Sequence, residues 1–272
     1  MSNADFALPI DAVLPDVLAA LRETGRVVLQ APPGAGKTTR VPLAMLDAEL
    51  TQGRILMLEP RRLAARAAAA RMADSLGEET GQTVGFRVRG ASAVSKSTRV
   101  EVVTEGILTR MLQDNPDLPG IGAVIFDEFH ERSLNADLGL ALCLEVAGAL
   151  RDDLLLVAMS ATLDAAPVAA LMDAPIVTSE GRSFDVEPRW LDKPMGKQRL
   201  ENAVADLTLK ALSEAPGSAL VFLPGEGEIR RVESLLRSAL PGDCTLAPLF
   251  GALDFKAQQA AISPAKSGRK VV

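Results

Sequence analysis

Arg26-Val-Val-Leu-Gln-Ala-Pro-Pro-Gly-Ala-Gly-Lys-Thr-Thr39 is the stretch whose reading decides the fold. Val27, Val28 and Leu29 form a short apolar run of the kind that a strand buried on both faces needs. Pro32, Pro33, Gly34 and Gly36, with Ala35 between the glycines, interrupt regular structure and let the backbone curl. Lys37, Thr38 and Thr39 then open a helix that carries Val41, Leu43, Ala44 and Leu46. Strand, glycine loop, and Lys-Thr at a helix N-terminus together make a cradle for phosphate, because glycine lets successive N–H groups point at an anion with no Cβ in the way. In such a cradle Lys37 reaches the β- and γ-phosphates and the Thr38 hydroxyl ligates Mg²⁺. The strict pattern begins with glycine, and this chain has Ala31 there. The working glycines and the Lys-Thr pair are intact, so the loop is a variant in which Pro33, Gly34, Ala35, Gly36, Lys37, Thr38 and Thr39 contact the nucleotide.

The same alternation extends outward. Upstream, Leu14, Val17, Leu18 and Leu21 keep helical spacing up to Gly25, and residues 1–9 look frayed. Downstream, Ile55 to Leu58 is a buried strand that runs into Glu59-Pro-Arg-Arg62, and an alanine-rich helix from Leu63 to Leu76 stops at Gly77. Val84 to Val88 and Arg99 to Thr104 are strands separated by a polar loop over 90–98. Glu105 to Gln113 is a short helix. Ile121 to Phe126 is a strand leading into Asp127-Glu-Phe-His-Glu-Arg-Ser133, where Ser133 caps a helix that buries Leu134, Leu138, Ala141 and Leu142. Leu154 to Ala158 is a strand that ends at Met159-Ser-Ala-Thr162. Strands alternating with helices imply an α/β fold, a parallel sheet with helices on both faces, and function at the carboxyl ends of its strands. Lys37, Arg61, Thr104, Asp127 and Ser160 all fall there. Asp127 can hold Mg²⁺ against the phosphates, and Glu128 beside it can orient and deprotonate a water. The reading places the Asp127 strand next to the strand of the phosphate loop.

From about Gly181 the character changes, with Pro188, Trp190, Pro194 and Gly196 in a less regular segment. A new unit follows: a helix from Leu200 to Leu212, a strand from Ala219 to Leu223 meeting Pro224-Gly-Glu-Gly227, a helix through Ile229, Val232, Leu235 and Leu236, and a strand over Thr245 to Leu249. Two domains are expected, 1–180 and 181–272. Lys270-Val-Val272 opens an apolar run, so the natural protein is expected to continue.

Composition sets limits on the rest. Hydrophobic residues at 48% and charged residues at 24% suit a globular protein, and no apolar stretch reaches the ~18 residues of a membrane span. No secretion signal is present, and Cys143 and Cys244 have no partner at metal spacing, which fits a reduced, cytoplasmic setting. A net charge of −6 argues weakly against nucleic acid, but binding depends on local patches. Arg54, Arg61, Arg62, Arg66 and Arg71 cluster around Glu59, and Arg87, Arg89, Lys96, Arg99 and Arg110 form a second group. Together they could line a basic groove on an acidic body, or they could be solvated helix faces.

With Asp127-Glu-Phe-His130 the chain resembles the DEAH-box branch of the superfamily 2 helicases. Phe at the third position, with Leu8-Pro-Ile-Asp11 near the start, is similar to the bacterial HrpB-type group. The resemblance covers nearly the whole chain in order. Ala31 to Thr38 match motif I, Glu59-Pro-Arg-Arg62 motif Ia and Thr104-Glu-Gly106 motif Ib. Asp127 to His130 match motif II, Ser160-Ala-Thr162 motif III, and Ala219 to Gly227 resemble motif IV. The resemblance implies a RecA-like P-loop domain followed by part of a second RecA-like domain, with ATP or another NTP driving movement on single-stranded RNA. It implies that Arg61, Arg62 and Thr104, with Glu105 and Gly106, meet the strand backbone. His130, Ser160 and Thr162 would link the nucleotide site to domain closure. Arg71 lies where relatives stack an arginine on the base, Ile262 stands in place of their partner aromatic, and no glutamine motif precedes the loop. The family's remaining motifs would follow Val272, so these residues are expected to bind nucleotide with little turnover. Nothing in the chain reads the 2′-OH, so a DNA translocase of the same superfamily, or a nucleotide-dependent switch or scaffold, is the alternative.

Overall fold

Apolar runs too short for a helix, each followed by a polar or glycine-bearing turn, become the strands of one sheet. The computed structural model describes residues 7–161, 165–180, 185–191, 196–265 and 267–272. Its strands are β1 (Arg26–Gln30), β2 (Arg54–Leu58), β3 (Val84–Val88), β4 (Ala91–Ala93), β5 (Val100–Val103), β6 (Ile121–Phe126), β7 (Leu155–Ser160) and β8 (Ile176–Thr178). They lie in the order β4-β3-β5-β2-β6-β7-β1-β8. Every pairing is parallel except that of β3 with β4.

β4 falls inside the stretch read as a polar loop. Gly90, at φ 83°, turns the chain so tightly that Val88 pairs with Ala91. Ala91-Ser-Ala93 is too small and too short to announce a strand. A second correction concerns order. β6, which leads to Asp127, does not neighbour β1, because β7 pairs with both and lies between them. Each run is apolar on both faces, so its pattern carries no information about its place in the sheet.

Side chains alternate across the sheet and fill two cores. Val27, Leu29, Ile55, Met57, Ile125 and Val157 pack with α1 (Leu14–Thr24), α2 (Lys37–Asp47) and α3 (Arg62–Ser75). Val28, Leu56, Leu58, Val124, Phe126 and Leu156 pack with α4 (Glu105–Asp114), α5 (Leu134–Ala149) and α6 (Ala166–Met172). The expected sheet with helices on both faces is therefore present. The sequence reading leaves α6 and β8 unassigned. Among the described residues no helix is long and apolar enough to cross a membrane. Burial pushes the Cys143 thiol up to about 12, so it stays protonated in the core.

α5 turns a different face inward from the one its leucines suggested. It buries Ala136, Gly139, Leu140, Cys143, Val146 and Ala147. Leu134 is 83% exposed and Leu138 42% exposed; Ala141 is exposed and Leu142 half-buried. The helix is apolar around most of its circumference, so spacing does not select a face. Close approach does: a Cβ on Gly139 would lie 3.2 Å from Leu108 Cδ2, so only the small-residue side fits against α4. Ser133 caps this helix as expected, its Oγ accepting the Ala136 N–H at 2.9 Å.

Residues Asp185–Val272 form a second compact unit. It contains α7 (Leu200–Glu214), α8 (Glu226–Leu236), α9 (Phe255–Ile262), and a parallel pair of β9 (Cys244–Leu246) with β10 (Arg269–Val271). Ala205, Leu212, Val232, Leu236 and Val271 make its core. Ala219 to Leu223, read as a strand, is held by one bridge to Val271 and by hydrogen bonds to Lys270 and Val272. The strand read over Thr245 to Leu249 is confined to β9. The changeover placed at Gly181 lies outside the described residues, as do residues 1–6 of the stretch read as frayed and Pro194.

The inward face of α5 can be tested directly. Leu140→Ala, at 1% exposure, should cost about 2–5 kcal/mol in urea denaturation. Leu134→Ala should stay within about 0.5 kcal/mol. The reverse ranking would put the leucine stripe inside.

Candidate nucleotide and nucleic-acid site

The phosphate loop leaves β1 through Ala31, whose N–H donates to Ser160 O at 2.9 Å and so continues the ladder to β7. Ala31 is fully buried, and its methyl belongs to the α1–α3 core, which explains how alanine serves where the strict pattern has glycine. Gly36 is different. Its φ is 97°, and a Cβ there would come within 2.5 Å of Leu8 Cδ1. The Leu8–Asp11 stretch braces the loop: the Ile10 N–H donates to Ala35 O at 3.2 Å, and Asp11 pairs with Arg40 at 3.4 Å. Pro33 and Gly34 are exposed, Ala35 is buried, and Thr38 and Thr39 are half-buried on the first turn of α2. No side chain caps α2, leaving its N-terminal dipole for an anion.

Lys37 is 3% exposed, with Nζ 3.0 Å from Glu128 Oε1. A buried ammonium needs a partner, and Glu128 at the end of β6 supplies one across the intervening β7. The other oxygen, Glu128 Oε2, lies 3.4 Å from His130 Nδ1. That nitrogen accepts the Ala161 N–H at 3.2 Å and so ties the end of β6 to the end of β7. Ser160 is buried at the end of β7, whereas Thr162 lies outside the described residues.

The turn that carries these groups is strained. Glu128 and Arg132, both non-glycine, sit at φ 49° on either side of the 3₁₀ turn Phe129–Glu131. It is held by Phe129, buried edge-on against Phe126 with ring centroids 6.0 Å apart, and by Arg132, which pairs with Asp137 at 3.1 Å.

Asp127 is 5% exposed. Its Oδ1 accepts the Glu128 N–H at 2.8 Å, while Oδ2 is buried with no hydrogen-bond partner. Burial raises its pKa to about 6; Glu128 adds to the rise, and the Thr38 hydroxyl and Lys37 oppose it. An orphaned anionic oxygen beside the Thr38 hydroxyl is a hard-donor setting that fits Mg²⁺, which takes few protein oxygens and completes its shell with water and phosphate. Among the described residues no group of three or more His, Cys, Asp or Glu forms a self-contained metal cage.

Glu59 is a functional-edge residue that the sequence reading underrated. It follows β2, is 5% exposed, and has its pKa raised to about 8. Burial is the largest cause, then Asp127 and Glu128, against a lowering hydrogen bond from the Arg61 backbone. Its signal was visible: an acid at the carboxyl end of a central, fully apolar strand.

β5, β2 and β6 are neighbours, so Thr104, Arg61 and Asp127 share one edge. Arg61 is exposed and pairs with Glu131; Arg62 is exposed at the start of α3. Thr104 is the N-cap residue of α4 without a side-chain cap bond. Glu105 Oε2 accepts from Ser133 Oγ at 2.5 Å. A Cβ on Gly106 would meet nothing within 4 Å, so packing does not require glycine there. Arg71 lines a groove of about 850 Å³ with Leu8, Asp11, Thr39 and Arg40. Several of the clustered arginines fit neither of the two readings left open for them, a basic groove or a solvated face. Glu101, fully buried, takes both Arg54 and Arg87 as partners. Arg99 donates to Thr51 O at 3.0 Å, and Arg66 lies 5.1 Å over the Phe86 ring. A buried carboxylate and an aromatic face claim those cations, and Arg54 and Arg99 sit at the opposite, amino-terminal edge of the sheet.

Residues 12–171 match the family model for the DEAD/DEAH box helicase. The chain is 53% identical over 268 residues to the ATP-dependent RNA helicase HrpB of Escherichia coli (strain K12), an alignment covering 98% of this chain and 33% of that protein. It is 33% identical to the ATP-dependent RNA helicase HrpA of the same strain, over 97% of this chain and 21% of that one. It thus spans at most about a third of these relatives. A crystal structure of the Escherichia coli DEAH/RHA helicase HrpB superposes with a TM-score of 0.90 at 53% identity, covering 97% of this chain and 34% of that one.

The buried acids set a pH dependence. Glu59 binds its proton more tightly folded than unfolded, so stability falls as pH rises from about 4.5 toward 8, with a limiting slope of about 1.4 kcal/mol per pH unit from this group. Glu59→Gln should flatten that decline and be more stable at pH 8. Chemical denaturation of both proteins across pH 5 to 8.5 checks it; parallel profiles would mean Glu59 is ionised in the fold.

Proposed function

Because the chain belongs to the DEAD/DEAH box helicase family, we propose that it is the nucleotide-binding part of a DEAH-box ATP-dependent RNA helicase. In this reading 1–180 form a RecA-like ATP-binding domain and 181–272 part of a second RecA-like domain. The protein hydrolyses ATP or another NTP to move along single-stranded RNA in the cytoplasm. The observation that carries the reading is the pairing of buried Lys37 with Glu128 beside the orphaned Asp127 oxygen.

The pair suggests how binding prepares hydrolysis. Phosphate oxygens at the loop compete for Lys37, the loop's N–H groups and the α2 N-terminus hold the same anion, and Glu128 loses its partner. A released Glu128 carboxylate can orient a water and accept its proton. Mg²⁺, held by Asp127 and the Thr38 hydroxyl, would neutralise charge on the phosphates. His130 Nδ1, bonded to the Ala161 N–H, carries any shift of the turn to the end of β7 at Ser160, and Thr162 is assigned to the same link from the family motif. Arg71 faces the base, and Arg61, Arg62 and Thr104, with Glu105 and Gly106, face the strand backbone. The resemblance to RNA helicases is what favours RNA over DNA.

Mg-ADP at ~100 times its dissociation constant should stabilise the chain by about 2.7 kcal/mol, and Lys37→Ala should abolish the thermal shift; no shift in the unmutated chain would remove the nucleotide assignment. In the full-length protein, Glu128→Gln should bind ATP but lose turnover. Single-stranded RNA should stimulate hydrolysis more than single-stranded DNA does, and equal indifference to both would favour a switch.

Replacing Arg61 and Arg62 together by Ala should lower the salt dependence of RNA binding by roughly 0.7 in log–log slope per lost phosphate contact. Binding measured between low and moderate salt decides it, and an unaltered slope would make both arginines structural.

A further inference from the structure

The residues that follow the strained turn are tied to both elements that face the strand. Glu131, the last residue of the turn, pairs with Arg61 at the start of α3. Ser133, two residues on, donates to Glu105 at the start of α4. The first tie is not needed to close a core: Arg61 is 70% exposed and Glu131 33% exposed at the side chain. The turn between Glu128 and Arg132 has left-handed non-glycine residues at both ends, and such backbone persists only where its surroundings over-determine it.

We propose that Glu131 is a positioning residue that couples strand binding to hydrolysis: without a strand it occupies Arg61 and so holds the turn bearing Glu128 and His130 in an idle geometry, and a backbone phosphate that captures Arg61 releases it. This rests on the strand-facing role of Arg61 given above. The chemistry suits a competitor. Glu131 offers one carboxylate to an exposed guanidinium, a pair of little intrinsic strength, and a phosphodiester offers the same guanidinium an equivalent bidentate anion. A stronger, buried pair could not be exchanged in this way. The coupling is direct because Glu131 is one residue from His130 and three from Glu128, within a single turn. The Glu131 N–H also donates to Glu128 O at 2.9 Å, so a displacement of one moves the other.

The test uses the full-length protein with ATP and a single-stranded RNA oligonucleotide. Glu131→Gln keeps size and removes the charge. It should raise RNA-free hydrolysis and tighten nucleotide-free RNA binding, each about two- to fivefold, the equivalent of an exposed ion pair, so the stimulation ratio falls. Arg61→Gln should weaken RNA binding. The exchange variant Arg61→Glu/Glu131→Arg rebuilds the tie with its ends reversed: RNA-free hydrolysis should fall below that of Glu131→Gln while RNA affinity stays as weak as in Arg61→Gln. A purely structural pair would not separate those two readouts. If Glu131→Gln changes neither RNA-free rate nor affinity while Arg61→Gln weakens binding, the coupling is overturned and the proposed function stands. If Arg61→Gln leaves RNA binding unchanged, the strand role of Arg61 falls and the coupling with it.

Discussion

The structure depends on one ion pair reaching across a strand. Lys37 and Glu128 come from the ends of β1 and β6, which β7 separates, and they meet at 3.0 Å. Lys37 is the member that needs the pair: it is nearly out of solvent, and a buried ammonium is costly without a partner, whereas Glu128 keeps some exposure. The pair therefore pins the phosphate loop to the acidic turn before any ligand arrives. It joins Lys37 to Glu128, the group proposed to activate water, so under the proposed function this is the contact that an arriving phosphate would break.

The surrounding charge makes the exchange favourable. Glu59, Asp127 and Glu128 crowd one edge: Asp127 and Glu128 both raise the pKa of Glu59, and Glu128 raises that of Asp127. Against them the interior offers Lys37, which leaves the edge with more potential negative charge than one ammonium neutralises. Protonating Glu59 relieves part of this. A cation at the bare Asp127 oxygen would relieve more, which is why a site that repels a free nucleotide's phosphates can accept the same phosphates with their metal. On this argument, metal and nucleotide stabilise each other here more than either does alone.

What could be read from the chain follows from the range over which each feature is encoded. The phosphate loop, the Ser133 cap and the end of α1 at Gly25 are local: a few adjacent residues specify them, and they stand where the sequence put them. The layering was legible too, because alternation along Val27-Val28-Leu29 and Ile55-Leu-Met-Leu58 sends neighbours into opposite cores. The insertion of β7 between β6 and β1 was not, since strands apolar on both faces look alike wherever they sit. The inward face of α5 was hidden by leucines on its outer side, and only the need for Gly139 to approach Leu108 closely decides it. Arg54, Arg87 and Arg99 looked like a binding surface because sequence lists cations without their partners. Glu101, in the middle of an apolar strand, was the sign that guanidinium groups would be drawn inward.

The buried pair and the strained turn also bear on each other. A non-glycine residue at φ 49° costs on the order of 1–3 kcal/mol, and Glu128 adopts that backbone at the residue whose carboxylate meets Lys37. In the left-handed conformation the chain reverses just after Asp127. This lets Asp127 and Glu128, consecutive in sequence, face the site together, whereas consecutive residues of an extended strand would point to opposite sides of the sheet. The strain is thus the geometric condition for two adjacent carboxylates to serve one substrate. Phe129 packing and the Arg132–Asp137 pair offset its cost on the far side of the turn, and Lys37 offsets it on the near side. Under the proposed function, phosphate at Lys37 would remove the near-side support and leave the turn poised between its strained form and the geometry the substrate favours. A turn held in this way can be moved by modest forces, including those at an exposed arginine.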